Sequence, residues 1–159
     1  FSLSSELKIT RREAKEYIEN YFKNYSGVRE YMEKTVNDAA ENGFVTTLFG
    51  RRRYIPELKA KNFNMRSFGE RAAMNTPIQG TAADIIKIAM VKVYDALKKE
   101  CPEASLILQV HDELICEVPV HCAEKAAGIL KREMENAANL SVPLRADVNI
   151  GKSWYETKK

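Results

Sequence analysis

Two neighbouring carboxylates stand between two strand-like runs in the last third of the chain. Residues 106–110 (LILQV) and 114–118 (LICEV) are rich in branched apolar side chains, as β-strands are. Only His111, Asp112 and Glu113 separate the two runs, which predicts a tight antiparallel hairpin with these residues at its tip. Hard cations such as Mg²⁺ prefer carboxylate oxygens, often one or two from a chain. Asp112 is therefore a candidate metal ligand, although Asp and His also favour turns for backbone reasons alone.

Three long polar side chains recur at four-residue steps: Arg71, Asn75 and Gln79. On a continuous helix this spacing puts them on one face, about 6 Å apart along the axis. Such donors suit the minor groove of a duplex, where purine N3 and pyrimidine O2 accept hydrogen bonds in every base pair. The alternatives stay open: Gln79 can close a capping box with Thr76, Asn75 can end a helix, and Arg71 can be a solvated charge.

A run of three arginines and two further acids complete the candidate residues. Arg51, Arg52 and Arg53 straddle a predicted turn, where Arg51 and Arg52 could contact phosphates. A solvated turn with one structural arginine is the equal alternative. Asp84 and Asp147 are interpreted as structural.

The elements before the carboxylates are mainly helical. Thr10 and Glu13 form a capping-box pattern that opens a helix, and a second helix ends at the Asn42-Gly43 pair. A small hairpin is predicted from residues 44–49 and 53–55. Residues 64–99 are predicted as helix with one break near Asn75, because Pro77 lacks an N–H donor and disfavours helix at the residue before it. The second segment would start with Thr76 as N-cap.

After the second hairpin, a helix is predicted over about 121–138 and a last strand over 145–150. Strands and helices do not alternate strictly, so the predicted fold class is α+β with an antiparallel sheet packed against long helices.

Composition sets wider bounds. The 159 residues are 45% hydrophobic and 30% charged with a net charge of +3, which is typical of one globular domain. The three cysteines form no CxxC pair, so neither zinc nor redox chemistry is predicted. No apolar run approaches the ~18 residues of a membrane span, and no signal peptide is present, which favours the cytoplasm. The chain starts at Phe1 rather than Met, as a processed or excised piece would.

Three long segments resemble the bacterial DNA polymerase I family, the family A DNA polymerases. Residues 109–114 (QVHDEL) closely resemble its C motif, and residues 50–57 (GRRRYIPE) resemble its Gly-Arg-Arg-x-Tyr-hydrophobic-Pro segment. Residues 70–87 (ERAAMNTPIQGTAADIIK) are similar to its long helical segment, and the likeness extends to Trp154-Tyr155. Three matches in the same order make chance similarity implausible.

The resemblance implies a template-directed nucleotidyl transfer by two Mg²⁺ ions in DNA replication and repair, with Asp112 as a metal ligand and catalytic residue and Glu113 as a neighbouring catalytic residue that assists it. It implies that Arg71, Asn75 and Gln79 touch DNA and that His111 lies near the primer terminus. The expected partners are primer-template DNA, deoxynucleoside triphosphates and the rest of the polymerase domain. The resemblance also implies a palm-type sheet. Residues 1–63 would be the distal helices and hairpin of the fingers, and residues 64–159 would be the palm. The expected location is the nucleoid of the cytoplasm.

Two parts of that family's catalytic machinery are missing from this sequence. No Asp-Tyr-Ser-Gln-like motif supplies the second metal aspartate, and no nucleotide-binding fingers helix occurs. Arg11 and Lys15 have the four-residue step of that helix, but Glu19 and Lys23 follow where an aromatic residue and Tyr belong. We therefore expect the C-terminal part of a longer catalytic domain, inactive alone. A non-catalytic duplex-DNA-binding module and a single-subunit RNA polymerase relative are the alternatives.

Overall fold

Six α-helices and two β-hairpins make up the part of the chain that the structure, a computed structural model, describes: residues 2–158. In chain order the elements are α1 (Ser2–Glu6), α2 (Arg11–Asn24), α3 (Ser26–Asn42), β1 (Phe44–Thr46), β2 (Arg52–Tyr54), α4 (Phe63–Glu100), β3 (Ser105–Val110), β4 (Glu113–Glu117), α5 (Ala123–Glu135) and α6 (Trp154–Thr157). Short 3₁₀ turns cover Pro56–Lys59 and Val120–Cys122. The α+β class with antiparallel pairing is confirmed.

The backbone divides into two compact units. The first comprises the chain up to Thr46 together with residues 50–77, and the second comprises residues 47–49 together with the chain from Ile78 onward. Each unit has its own apolar cluster. No helix in the described part of the chain is long and apolar enough to cross a bilayer.

Local signals predicted α2 and α3 well. The Thr10 hydroxyl accepts from the Glu13 N–H at 3.2 Å, and the Glu13 carboxylate accepts from the Thr10 N–H at 2.8 Å, so the capping box is present. The Thr10 N–H and the Thr10 hydroxyl both donate to the Glu13 carboxylate at 2.8 Å and hold the pKa of Glu13 below its usual value. The helix α3 ends at Gly43 as predicted, and the break between α2 and α3 is confined to Tyr25.

The predicted first hairpin is confirmed, with strands of three residues each and Phe44 opposite Tyr54. Val45 and Ile55 are buried in the cluster of the first unit. In the same unit α4 passes close to the 3₁₀ turn: a Cβ on Gly69 would stand 2.9 Å from the backbone nitrogen of Leu58. Only glycine fits this approach, because a side chain there would collide with backbone.

The helix α4 runs without interruption through Pro77, so the predicted break near Asn75 is wrong. A proline inside a helix costs about 3 kcal/mol, because one hydrogen bond is lost and the ring crowds the preceding turn. Burial of apolar side chains of α4 before and after Pro77 outweighs this cost. Ala73 before the proline and Val93 after it have no exposed surface. Thr76 is not an N-cap: its hydroxyl accepts a hydrogen bond from the Arg53 guanidinium at 3.1 Å.

The second unit contains the predicted second hairpin, β3–β4, which is confirmed. Val110 pairs with Glu113, so the tip has two residues, and Glu113 belongs to β4 rather than to the turn. The helix α5 is shorter at both ends than the predicted helix over 121–138. The apolar cluster of this unit takes its buried residues from α4, β4, α5 and the segments that follow α4 and α5: Ile86, Ala89, Val93, Leu97, Cys101, Leu114, Ala126, Ile129 and Ala137.

The predicted last strand over 145–150 is wrong, because no strand is assigned to these residues. Both sheets in the described part of the chain are two-stranded, and neither pairs with this segment. The Ala146 N–H donates instead to the Glu135 carboxylate at 3.2 Å. A strand-like sequence becomes a strand only where a neighbouring backbone supplies a ladder of hydrogen bonds.

Candidate functional site

The tip of β3–β4 contains a strained backbone conformation. His111 has φ of +53°, in the left-handed region that non-glycine residues adopt rarely and at a cost of about 1–3 kcal/mol. The Gln109 side chain donates from Nε2 to the His111 carbonyl oxygen at 2.6 Å, and thereby fixes the turn. Held strain of this kind clusters at functional sites, where it fixes a side chain in position.

Asp112 is the second residue of this tip and faces solvent. Within the described residues its carboxylate has neither a hydrogen bond nor an ion pair. A short side chain on a rigid hairpin tip has few rotamers, so its oxygens are positioned in advance. An available, pre-positioned carboxylate can take a hard divalent cation.

Glu113 lies next to Asp112 in sequence but has a different environment. Its Oε2 accepts a hydrogen bond from the Trp154 indole nitrogen at 3.2 Å and lies 3.7 Å from the Lys158 ammonium. The Lys158 ammonium also lies 4.6 Å from the centre of the Trp154 ring. One Glu113 oxygen is thus occupied by contacts that attach α6 to the hairpin, which makes Glu113 a weaker candidate ligand than Asp112.

A cavity of about 820 Å³ in the second unit contains the tip carboxylates in its wall. Its floor is apolar and comes from α4, including Ile85 and Ala89. Asp147, interpreted from sequence as structural, also lines this cavity and is exposed. A signal for this was present: Arg145, Asp147 and Asn149 alternate with apolar residues, a pattern that puts the polar side chains on one face.

The predicted DNA-contact residues of α4 are all exposed. Arg71 and Asn75 belong to the first unit and Gln79 to the second. In the described part of the chain these three side chains have no hydrogen bond, ion pair or ring contact. The alternatives for Asn75 and Gln79 are therefore weakened: α4 does not end at Asn75, and Gln79 has no capping-box partner.

The three arginines separate by role. The Arg53 guanidinium donates to the Thr76 hydroxyl at 3.1 Å, so Arg53 has a structural contact with α4. The Arg52 guanidinium lies 4.7 Å from the centre of the Phe44 ring and stays exposed, and Arg51 is exposed as well. A tip with two exposed cations fits contact with a polyanion.

Comparison with known proteins agrees with the motifs. The model of DNA polymerase family A matches residues 1–156. DNA polymerase I of Caldicellulosiruptor bescii is 52% identical over 158 residues, which cover 99% of this chain and 19% of that protein. The enzyme of the same name from Bacillus subtilis is also 52% identical, over 99% of this chain and 18% of its own length.

A solved structure matches as well. The POL domain of Pol1 from M. smegmatis, in complex with DNA primer-template and dNTP, superposes with a TM-score of 0.94 at 43% identity. The match covers 100% of this chain and 28% of that one. The chain spans less than a fifth of the length of the two curated relatives. A family model that covers nearly every residue, together with these identities, shows that this chain belongs to DNA polymerase family A.

Proposed function

We propose that this chain is part of the catalytic domain of a DNA-directed DNA polymerase that acts in replication and repair. The observation that carries the proposal is Asp112, an exposed carboxylate without a partner in the described residues, held on a strained two-residue tip. The M. smegmatis domain that shares this fold holds primer-template DNA and dNTP. The proposed partners here are the same two classes of molecule and the rest of the polymerase domain.

Membership of the family implies use of divalent metal, and the donor set at the tip fits that use. Asp112 offers hard oxygen atoms, as Mg²⁺ prefers, and faces solvent from which the ion can keep its waters. We propose that Asp112 is the metal ligand and that Glu113, with one oxygen still available, assists. Two bound Mg²⁺ ions supply activation of the attacking hydroxyl and neutralisation of the leaving group. The other carboxylate of this site lies outside the chain.

The polar side chains of α4 and the two hairpin tips supply the proposed DNA contacts. Arg71, Asn75 and Gln79 donate to minor-groove acceptors that every base pair presents, so they read the shape of the pair without its sequence. His111 lies beside Asp112 on the tip, near the proposed primer terminus. Phosphate contacts come from Arg51 and Arg52.

Residues 1–63 are proposed as the distal fingers portion and residues 64–159 as palm. The nucleotide-binding helix and the second metal aspartate are not in this sequence, so the chain alone should bind DNA without extending a primer. The whole enzyme is proposed to act in the cytoplasm at the nucleoid.

The test is primer extension by the intact polymerase that contains this segment, with Mg²⁺ titrated and with deoxy- and ribonucleoside triphosphates compared. We expect extension that requires Mg²⁺ and prefers deoxynucleotides, while duplex affinity changes little with the metal. The 159-residue chain assayed in parallel should extend nothing. Duplex binding without metal-dependent extension by the intact protein would support a pure binding module instead, and a preference for ribonucleotides would support the RNA polymerase relative.

A further inference from the structure

A cluster of three metal-ligating side chains lies at the open end of the second hairpin, remote from its tip. Glu103 belongs to the turn between α4 and β3, while His121 and Cys122 belong to the 3₁₀ turn that precedes α5. One ligand atom of each lies within 4.8 Å of the other two. The six residues of β3 separate this end from the tip by about 20 Å, at about 3.3 Å per residue.

Two of the three distances inside the cluster match the edges of a tetrahedral site. The His121 Nε2 lies 3.2 Å from the Glu103 Oε1, and the Cys122 Sγ lies 3.8 Å from the same oxygen. Zinc bonds of about 2.0–2.1 Å to nitrogen and oxygen and about 2.3 Å to sulfur give tetrahedral edges of about 3.3 Å and about 3.6 Å. At these two edges a cation can enter with adjustments of a few tenths of an ångström, and the third edge, between the His121 nitrogen and the Cys122 sulfur, is at most 4.8 Å.

The donor types select the class of metal. One imidazole nitrogen, one thiol sulfur and one carboxylate oxygen suit a borderline cation, whereas Mg²⁺ takes oxygen ligands only. We propose that Glu103, His121 and Cys122 form a site for Zn²⁺ or a similar divalent transition metal, distinct from the Mg²⁺ site at the hairpin tip.

Access to this site is open. The His121 side chain is 68% exposed and that of Glu103 is 59% exposed, so the ion reaches them from solvent and keeps a water as fourth ligand. The Cys122 thiol loses its proton as the metal–sulfur bond forms, and the proton passes to solvent. The pKa of Cys122 is raised, chiefly by a hydrogen bond with the Cys101 thiol.

The ion would join two chain segments that are far apart in sequence. Glu103 precedes β3, whereas His121 and Cys122 follow β4, so the metal closes the open end of the hairpin. Two contacts already connect the same region: the Arg132 guanidinium lies 2.6 Å from the Glu100 carboxylate, and the Lys125 ammonium donates to the Glu100 carbonyl. The site would thus stabilise the base of the hairpin that carries Asp112.

Cobalt(II) is the probe, because a thiolate–cobalt bond produces a charge-transfer absorption that oxygen or nitrogen ligands alone do not. The full 159-residue chain, stripped of metal by chelation and reduced, is titrated with Co²⁺ and then with Zn²⁺. We expect one Co²⁺ per chain with the thiolate band, displacement by Zn²⁺, and a rise in Tm on Zn²⁺ addition. Loss of an outer-shell partner alone weakens sites about 10–100-fold, so His121→Asn and Glu103→Gln should weaken binding at least about tenfold.

Matched controls keep the result specific. Cys122→Ser should abolish the band, whereas Cys116→Ala should leave it intact, since burial raises the pKa of Cys116 to about 11 and it is outside the cluster. His111→Asn is the control for His121→Asn, because the chain has two histidines. A folded wild-type chain without the band, or a band that survives Cys122→Ser, would overturn the proposal. If Cys122→Ser fails to fold, the exposed variants at Glu103 and His121 decide it through affinity and Tm.

Discussion

The two hairpins use the left-handed backbone region in opposite ways. The first joins β1 to β2 through residues 47–51, and the positive φ of +80° falls on Gly50, where a Cβ would meet nothing within 4 Å. The second joins β3 to β4 through two residues, and the positive φ falls on His111. Glycine adopts this conformation without steric strain, whereas histidine does so at a free-energy cost. The second tip therefore retains a side chain where backbone stability alone would favour glycine.

The charges of the two tips differ as well. The first presents the exposed cations Arg51 and Arg52, and the second presents the exposed carboxylate of Asp112. Cationic side chains near a duplex raise the affinity of a protein for DNA, because their contacts with phosphates release counterions. They take no part in the reaction here. A carboxylate repels a duplex unless it holds a metal, so the proposed use of Asp112 is catalytic rather than to bind DNA. Under the proposed function, the first tip contributes to DNA affinity and the second to turnover.

The largest expected effect is on turnover at the second tip. In the intact polymerase, Asp112→Asn should lower the rate of primer extension at least about 10³-fold, because loss of a metal ligand removes several kcal/mol of transition-state stabilisation. DNA affinity should stay within a few fold, as measured by fluorescence anisotropy. Asp95→Asn on the exposed side of α4 is the matched control and should extend normally. Near-normal extension by Asp112→Asn would end the assignment of catalysis to this tip.

An intermediate effect is expected on affinity at the first tip. Replacing Arg51 and Arg52 together by Ala should weaken duplex binding about tenfold at moderate salt and reduce the slope of log K against log salt by about 2, one for each phosphate contact. The rate at saturating DNA should be unchanged. Arg12→Ala with Lys15→Ala, on exposed positions of α2, controls for net charge. An unchanged salt slope in the Arg51/Arg52 variant would contradict phosphate contact there.

The smallest effect concerns stability, and its sign differs between the tips. Gly50→Ala should destabilise by about 1 kcal/mol, because alanine resists positive φ. His111→Gly should be neutral or stabilise by up to about 1 kcal/mol, since relief of strain is offset by the greater freedom of glycine in the unfolded chain. Urea unfolding of the 159-residue chain measures both. If His111→Gly lowers the free energy of unfolding as much as Gly50→Ala does, the positive φ of His111 does not cost the native chain stability.

Local sequence signals predicted much of the fold. The capping box of Thr10 and Glu13, the stop at Gly43 and both hairpins depend on residues within a few positions of one another, so the sequence contains the whole interaction. Asp112 could be placed at a tip for the same reason. The motifs around it were sufficient to identify the family, because long matches in the same order are specific.

Other features depended on distant parts of the chain. Pro77 predicted a helix end, but burial along α4 on both sides of it keeps the helix continuous. Residues 145–150 have a strand-like pattern and no ladder partner. The structural contact of Arg53 could not be predicted either, because its hydrogen-bond partner Thr76 is 23 residues away.

By itself, the sequence determined the family, the elements with local caps and turns, and the position of Asp112. Only the tertiary structure decided that Glu113 is bound by Trp154 and Lys158, and that Glu103 meets His121 and Cys122. The physical reason is the range of the interactions: caps and turns form within one or two turns of backbone, whereas side chains 18 or 41 residues apart meet only after the core has packed.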